Sequence, residues 1–198
     1  TNTNRDRYSI GFNYENPVNN KFFKLINAKV YKQNAKVEDN FDRTTTSRGS
    51  ATSKDHDYYL DNEMSGADIQ LQSKFNNHLI TYGLDYSSVE TERLRTTRTI
   101  GGSTVKEKDT PDTEIKRTGI YLQDEVSSGK FDFIAGIRYD NYELDAKTDS
   151  VFTESAFAAD SNESSISPKI AATYRLNDQL SIYSQYSKGF RAPAYYEI

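Results

Sequence analysis

Apolar and polar residues alternate with a period of two along most of this chain, and few folds accommodate that. Between positions 8 and 14, Tyr8, Ile10, Phe12 and Tyr14 are separated by Ser9, Gly11 and Asn13. His78, Ile80, Tyr82, Leu84 and Tyr86 alternate with Thr81, Gly83 and Asp85. Phe131, Phe133, Ala135, Ile137 and Tyr139 face away from Asp132, Gly136 and Arg138, with Ile134 out of phase. Ile166, Pro168, Ile170, Ala172 and Tyr174 oppose Ser167, Lys169, Ala171 and Thr173. Successive strand side chains point to opposite faces, so these are strands with one greasy and one wet side. Helical spacing fits none of them. Weaker alternation predicts further strands within 21–33, 66–73, 117–126 and 180–189, about eight strands in all.

The connections narrow the choice. Short links at 15–20, 74–77, 127–130 and 176–179 carry turn chemistry: Asn16-Pro17, Asn76-Asn77, Ser128-Gly129 and Asn177-Asp178. Between the hairpins lie long polar segments at 37–62, 89–113 and 143–164, read as loops. Structureless loops of that length are uncommon in compact domains. Long and short connections alternate strictly, so all long ones emerge at one end of the sheet. Outer-membrane barrels have that asymmetry, with short periplasmic turns, long extracellular loops and strands apolar-out and polar-in. A sheet in lipid must pair every backbone group internally, hence closure. Tyr8, Tyr14, Tyr86, Tyr139 and Tyr174 suit the two membrane–water interfaces, where a ring is apolar and its hydroxyl wet. A soluble β-sandwich alternates too but does not call for the loop asymmetry.

Composition supports this and removes other classes. Hydrophobic residues are 35% of 198, below the usual globular share, yet 15 Tyr and 10 Phe argue against disorder. The formal charge is −4, with 25 Lys+Arg and 29 Asp+Glu, so no basic excess points to nucleic acid. There is no Cys, and His56 and His78 are the two His, which excludes thiolate sites and multi-histidine metal sites in this chain. The two His are expected at opposite ends of a strand pair, which disfavours a nucleophile–base hydrolase.

At the C-terminal third, Ser167-Pro168-Lys169-Ile170-Ala171-Ala172-Thr173-Tyr174 and the stretch from Leu180 to Pro193 resemble the barrel of TonB-dependent outer-membrane receptors. Tyr82-Gly83-Leu84-Asp85-Tyr86 and Gly119-Ile120-Tyr121-Leu122-Gln123-Asp124-Glu125 are compatible with it. Phe190-Arg191-Ala192-Pro193 is similar to the motif of the haem and haemoglobin receptors of that superfamily, with related wording in siderophore receptors.

The resemblance implies an all-β, antiparallel transmembrane barrel of about 22 strands, filled by a plug. Residues 1–198 are then a partial barrel, with the plug and the remaining strands outside it. It implies uptake of haem, free or on a haem-carrying protein held by the extracellular loops. TonB would be reached through the plug. Haem would be cargo, with no covalently bound cofactor and no metal site.

Phe190, Arg191, Ala192 and Pro193 are therefore the motif carried over as rim or ligand contacts. Arg191 offers a partner for a carboxylate or propionate, and Pro193 removes a ladder donor. His56 and Tyr58 are weaker loop candidates for iron or haem contact. A siderophore-type receptor, and a small closed barrel serving as adhesin or anchor, are the alternatives.

Overall fold

The computed structural model describes residues 1–16, 23–47, 50–152 and 160–191. It consists of one antiparallel sheet. The strands are β1 (Asn2–Glu15), β2 (Leu25–Ser47), β3 (Ser50–Phe75), β4 (His78–Thr99), β5 (Thr104–Glu107), β6 (Asp112–Ser128), β7 (Phe131–Lys147), β8 (Ser161–Arg175) and β9 (Ser181–Ser187). Their spatial order is β1-β2-β3-β4-β6-β7-β8-β9, and β5 folds back on the far end of β4. Each strand of the main path neighbours the next in sequence apart from that inserted hairpin. That is the pattern of an up-and-down barrel wall.

No second layer covers the sheet among the described residues. Tyr142, Leu144, Phe152 and Ala171 are its buried hydrophobic residues, while Ile10, Phe12, Val30, Ile120, Ile137, Ile166, Ile170 and Ile182 are each more than half exposed. Register shows why. Phe12, Ala28, Ile69, Leu84, Ile120, Tyr139 and Ile166 stand in one cross-strand row. Tyr14, Ile26, Leu71, Tyr82, Leu122, Ile137 and Pro168 form the next row towards the short turns. The apolar parities thus merge into one continuous band on one face, and a band of that kind is satisfied by hydrocarbon.

Two rows beyond Tyr86 the same face becomes charged, with Glu63, Glu90, Glu114 and Asp145 directly opposite one another on consecutive strands. Lys32 reaches Glu63 at 2.5 Å, and Lys116 and Lys147 reach Glu114 at 3.1 and 3.4 Å. The hydrogen bond from Lys116, followed by that from Lys147, holds the Glu114 carboxyl below its ordinary range despite some desolvation. So abrupt a change from greasy to ionic marks the edge of the hydrocarbon.

The short connections fall where sequence places them. Asn76 adopts φ +53° between β3 and β4, and Gly129 φ +59° between β6 and β7. Both values lie in the left-handed region that Asn and Gly tolerate. The expected turn at 15–20 lies largely outside the described residues.

The long segments require correction. Residues 37–47 and 50–62 are not loop but the upper halves of β2 and β3, paired without a bulge from Leu25–Gln72 to Ser47–Ser50. Much of 89–113 likewise extends β4 and β6, and Thr104–Glu107 adds a ninth strand that alternation does not flag. Glu143–Lys147 and Ser161–Ser164 extend β7 and β8. Above the bilayer both faces are wet, so hydropathy no longer alternates. Threonines such as Thr44, Thr45, Thr96 and Thr97 still favour the pleat.

Candidate functional site: the polar inner face

The parity opposite the apolar band carries the chemistry. In the spanning region Arg138 of β7 lies across β6 and meets Asp85 of β4 in a two-pronged pair, Nη1 to Oδ1 at 2.8 Å and Nη2 to Oδ2 at 3.0 Å. Its Nε donates to Asp140 Oδ1 at 2.7 Å. The guanidinium crosses over Gly119, where a Cβ would sit 2.0 Å from Nη2. Tyr121 similarly lies over Gly83 of the neighbouring strand, and the Arg138 Cζ stands 5.7 Å from the Tyr121 ring centre. Arg117 stands 5.6 Å from the Tyr142 ring, and Lys29 takes the same position over Tyr31. Cations on aromatic faces and a bidentate ion pair make a wall that is polar yet ordered.

Beside this network is a recess of about 620 Å³ lined by Arg117, Arg138, Tyr142, Lys169, Phe190 and Arg191, among others. Two residues of the carried-over motif, Phe190 and Arg191, therefore meet a cationic part of the inner wall. Ala192 and Pro193 lie outside the described residues.

His56 and Tyr58 sit on the same inner parity but high on β3, in paired strand and not in a loop. The His56 ring stacks on Phe41 of β2, centroids 4.8 Å apart and planes 19° apart, and its Nδ1 is 3.1 Å from Thr97 Oγ1 of β4. Together they belong to a groove of about 450 Å³ whose walls include Arg43, Lys54, Arg95 and Glu107. Tyr58 is opposite Asp39 and Arg95 in register and does not line that groove. Five strand steps separate β3 from β9, roughly 24 Å across the sheet. His56 and Arg191 therefore belong to two places, not one.

His78 is at the short-turn end, 2.8 Å from Asp124. No group of three potential metal ligands occurs among the described residues.

The Asp85–Arg138–Asp140 network and the Arg43–Lys54 pair escape a reading of the sequence. Each depends on which strands are neighbours and at what register. Charged residues at inner-face parity were the available signal.

A single-layer antiparallel sheet with a lipid-facing band, a charged inner face and one-sided long hairpins defines a segment of an outer-membrane β-barrel. The family model for the TonB-dependent receptor-like β-barrel matches residues 1–198, and the chain belongs to that family. Its barrels reside in the outer membrane.

Among solved structures, it is similar to the copper transporter OprC, with TM-score 0.72 and 13% identity over 98% of this chain and 31% of that one. The ferric citrate transporter FecA in its unliganded form gives TM-score 0.53 and 12% identity over 92% of this chain and 27% of that one. The chain thus spans about a third of the length of these transporters, and the likeness concerns fold. No curated protein sequence matches it.

Proposed function

We propose that this segment is part of the wall of an energy-coupled receptor that imports haem, free or presented by a haem-carrying protein, across the outer membrane. The observation that carries the transport reading is the division of one sheet into a hydrocarbon-facing band and an ion-paired inner wall. A wall of that kind separates lipid from an aqueous path and performs no covalent chemistry. TonB would act through a plug domain in the rest of the receptor. Haem as cargo is supported by the Phe190–Pro193 motif and by Arg191 standing beside Arg117, Arg138 and Lys169 at the recess. An amphiphilic dianion would find cations and aromatic rings there.

A ferric-chelate cargo, of the kind named for FecA, is the second reading. It draws on the same cations. Growth on haem as the iron source tests the first. Cells carrying the whole receptor with the 37–62 hairpin deleted should lose haem-dependent growth while keeping normal surface expression. Unimpaired growth at normal expression would count against this segment as the haem-handling part.

A further inference from the structure

We propose that the inner face of the β2–β3 extension is an oxyanion-binding subsite, built on Arg43 and Lys54, that receives the carboxylate or phosphate groups of the receptor's ligand well outside the bilayer. This rests on the receptor reading above.

Arg43 and Lys54 are directly opposite each other across β2 and β3, on the inner parity. Like charges directly opposite in a sheet repel and destabilise it. Neither forms an ion pair among the described residues, and both are exposed. Glu107, the carboxylate lining this groove, is committed to Arg95, whose Nη2 lies 2.8 Å from it and 3.2 Å from Asp109.

The neighbouring acids do not relieve the pair. Asp42 and Asp55 are also directly opposite each other but on the outer parity, where Arg98 meets Asp57 at 2.5 Å. Within these two adjacent β2–β3 pairs, Arg43 and Lys54 thus face inward while Asp42 and Asp55 face outward. The register cannot slip to mix them: the pairing runs unbroken to Ser47–Ser50, and Thr44 and Ser53 join at 2.8 Å beside the cations.

One row below, Phe41 is half exposed and stacked on His56, an apolar surface next to the two like charges. An oxyanion between Arg43 and Lys54 removes their repulsion and accepts charge-assisted hydrogen bonds from both. The place is thirteen residues above Ala67, the partner of Tyr86, roughly 43 Å along the strand. It meets ligand before the spanning wall does.

The test is calorimetric titration of the whole receptor in detergent with citrate, with inorganic pyrophosphate and with mesoporphyrin. The Arg43→Gln/Lys54→Gln variant should bind the preferred probe at least tenfold more weakly. Arg43→Lys/Lys54→Arg should restore binding, and Lys106→Gln, on the opposite face, should leave it unchanged. Preference for citrate or mesoporphyrin assigns a carboxylate ligand, and preference for pyrophosphate a phosphate.

Equal affinity in the wild type and the glutamine variant, or no binding by the wild type, overturns the subsite. Recovery in the charge-conserving variant separates lost charge from a misfolded hairpin. Receptor-dependent uptake without this binding would sink the subsite and leave transport standing. Binding without uptake by the wild type would do the reverse.

Discussion

An alanine Cβ at position 83 would lie 2.4 Å from the Ile69 carbonyl oxygen and 2.5 Å from the Tyr121 hydroxyl. The first contact is backbone and cannot step aside. Glycine at 83 is thus a packing requirement, and so is Gly119 beneath the Arg138–Asp85 pair. Gly136 differs, since a Cβ there meets nothing nearer than 3.4 Å. Gly83→Ala should destabilise the receptor by about 1–3 kcal/mol, while Gly136→Ala should be nearly silent. The midpoint of heat-modifiable gel migration for the two variants measures the difference; equal midpoints would refute this packing role. A second residue-scale expectation concerns side. Leu84→Lys puts a charge in the apolar band and should cost about 2–4 kcal/mol near the bilayer midplane, falling towards the interface. Gln123→Lys, on the inner parity beside Glu125, should be tolerated, as read by the yield of folded receptor in outer-membrane fractions.

At the scale of elements, the upper hairpins are joined by ion pairs. Lys108, before β6, is nearly buried and bonds Asp112 at 2.5 Å and also Asp149 beyond β7. Burial, the largest single influence on Lys108, pulls its pKa down, but the bonds to the two carboxylates together outweigh it and the net direction is up. Asp149 is held at about 2, chiefly by the hydrogen bond from Lys108 and then by the backbone N–H of Phe152. A carboxyl whose folded pKa is depressed contributes stability that is complete above its unfolded value near 3.8 and lost as pH falls towards 2. Exchange protection of the 149–152 amides should therefore hold from pH 8 down to about 4 and fade only below it. Asp149→Asn should lower protection across the whole range; a wild-type loss near pH 6 would contradict the pairing. These elements also mark where sequence stops speaking. The lower halves of β4, β7 and β8 are readable because Leu84, Ile137 and Ile170 alternate against Asp85, Arg138 and Lys169. The upper halves are not, since Asp57, Thr91 and Glu92 stand in strands wetted on both sides. Nor can spacing reveal that Arg138 finds Asp85, because three strands must first be put in register. The aromatic boundaries need no register, and Tyr86 and Tyr174 stand at opposite ends of the band as their spacing implies.

For the molecule as a whole, the sheet has almost no interior of its own. Leu144 and Tyr142 are its large fully buried side chains, while whole rows of Ile, Leu, Phe and Tyr face outward. Transfer of such side chains out of water yields about 1.5–3 kcal/mol each, and hydrocarbon is the phase that can supply it. β1 and β9 each have one described strand partner, and an edge left open invites aggregation. Residues 1–198 expressed alone should precipitate or require detergent; a sharply melting soluble monomer would oppose this. These 198 residues contain no Cys, so an introduced thiol is unique within the segment and, with any Cys elsewhere in the receptor replaced, permits the most direct measurement. Single substitutions Tyr82→Cys, Leu84→Cys to Tyr86→Cys and Ile120→Cys to Gln123→Cys, spin-labelled in the membrane-embedded whole receptor, can be scanned for collision with oxygen and with a water-soluble nickel chelate. Positions 82, 84, 86, 120 and 122 should favour oxygen and positions 85, 121 and 123 nickel. Shielding of the first set from both reagents would mean protein, not lipid, covers that face, and would contradict the barrel-wall reading.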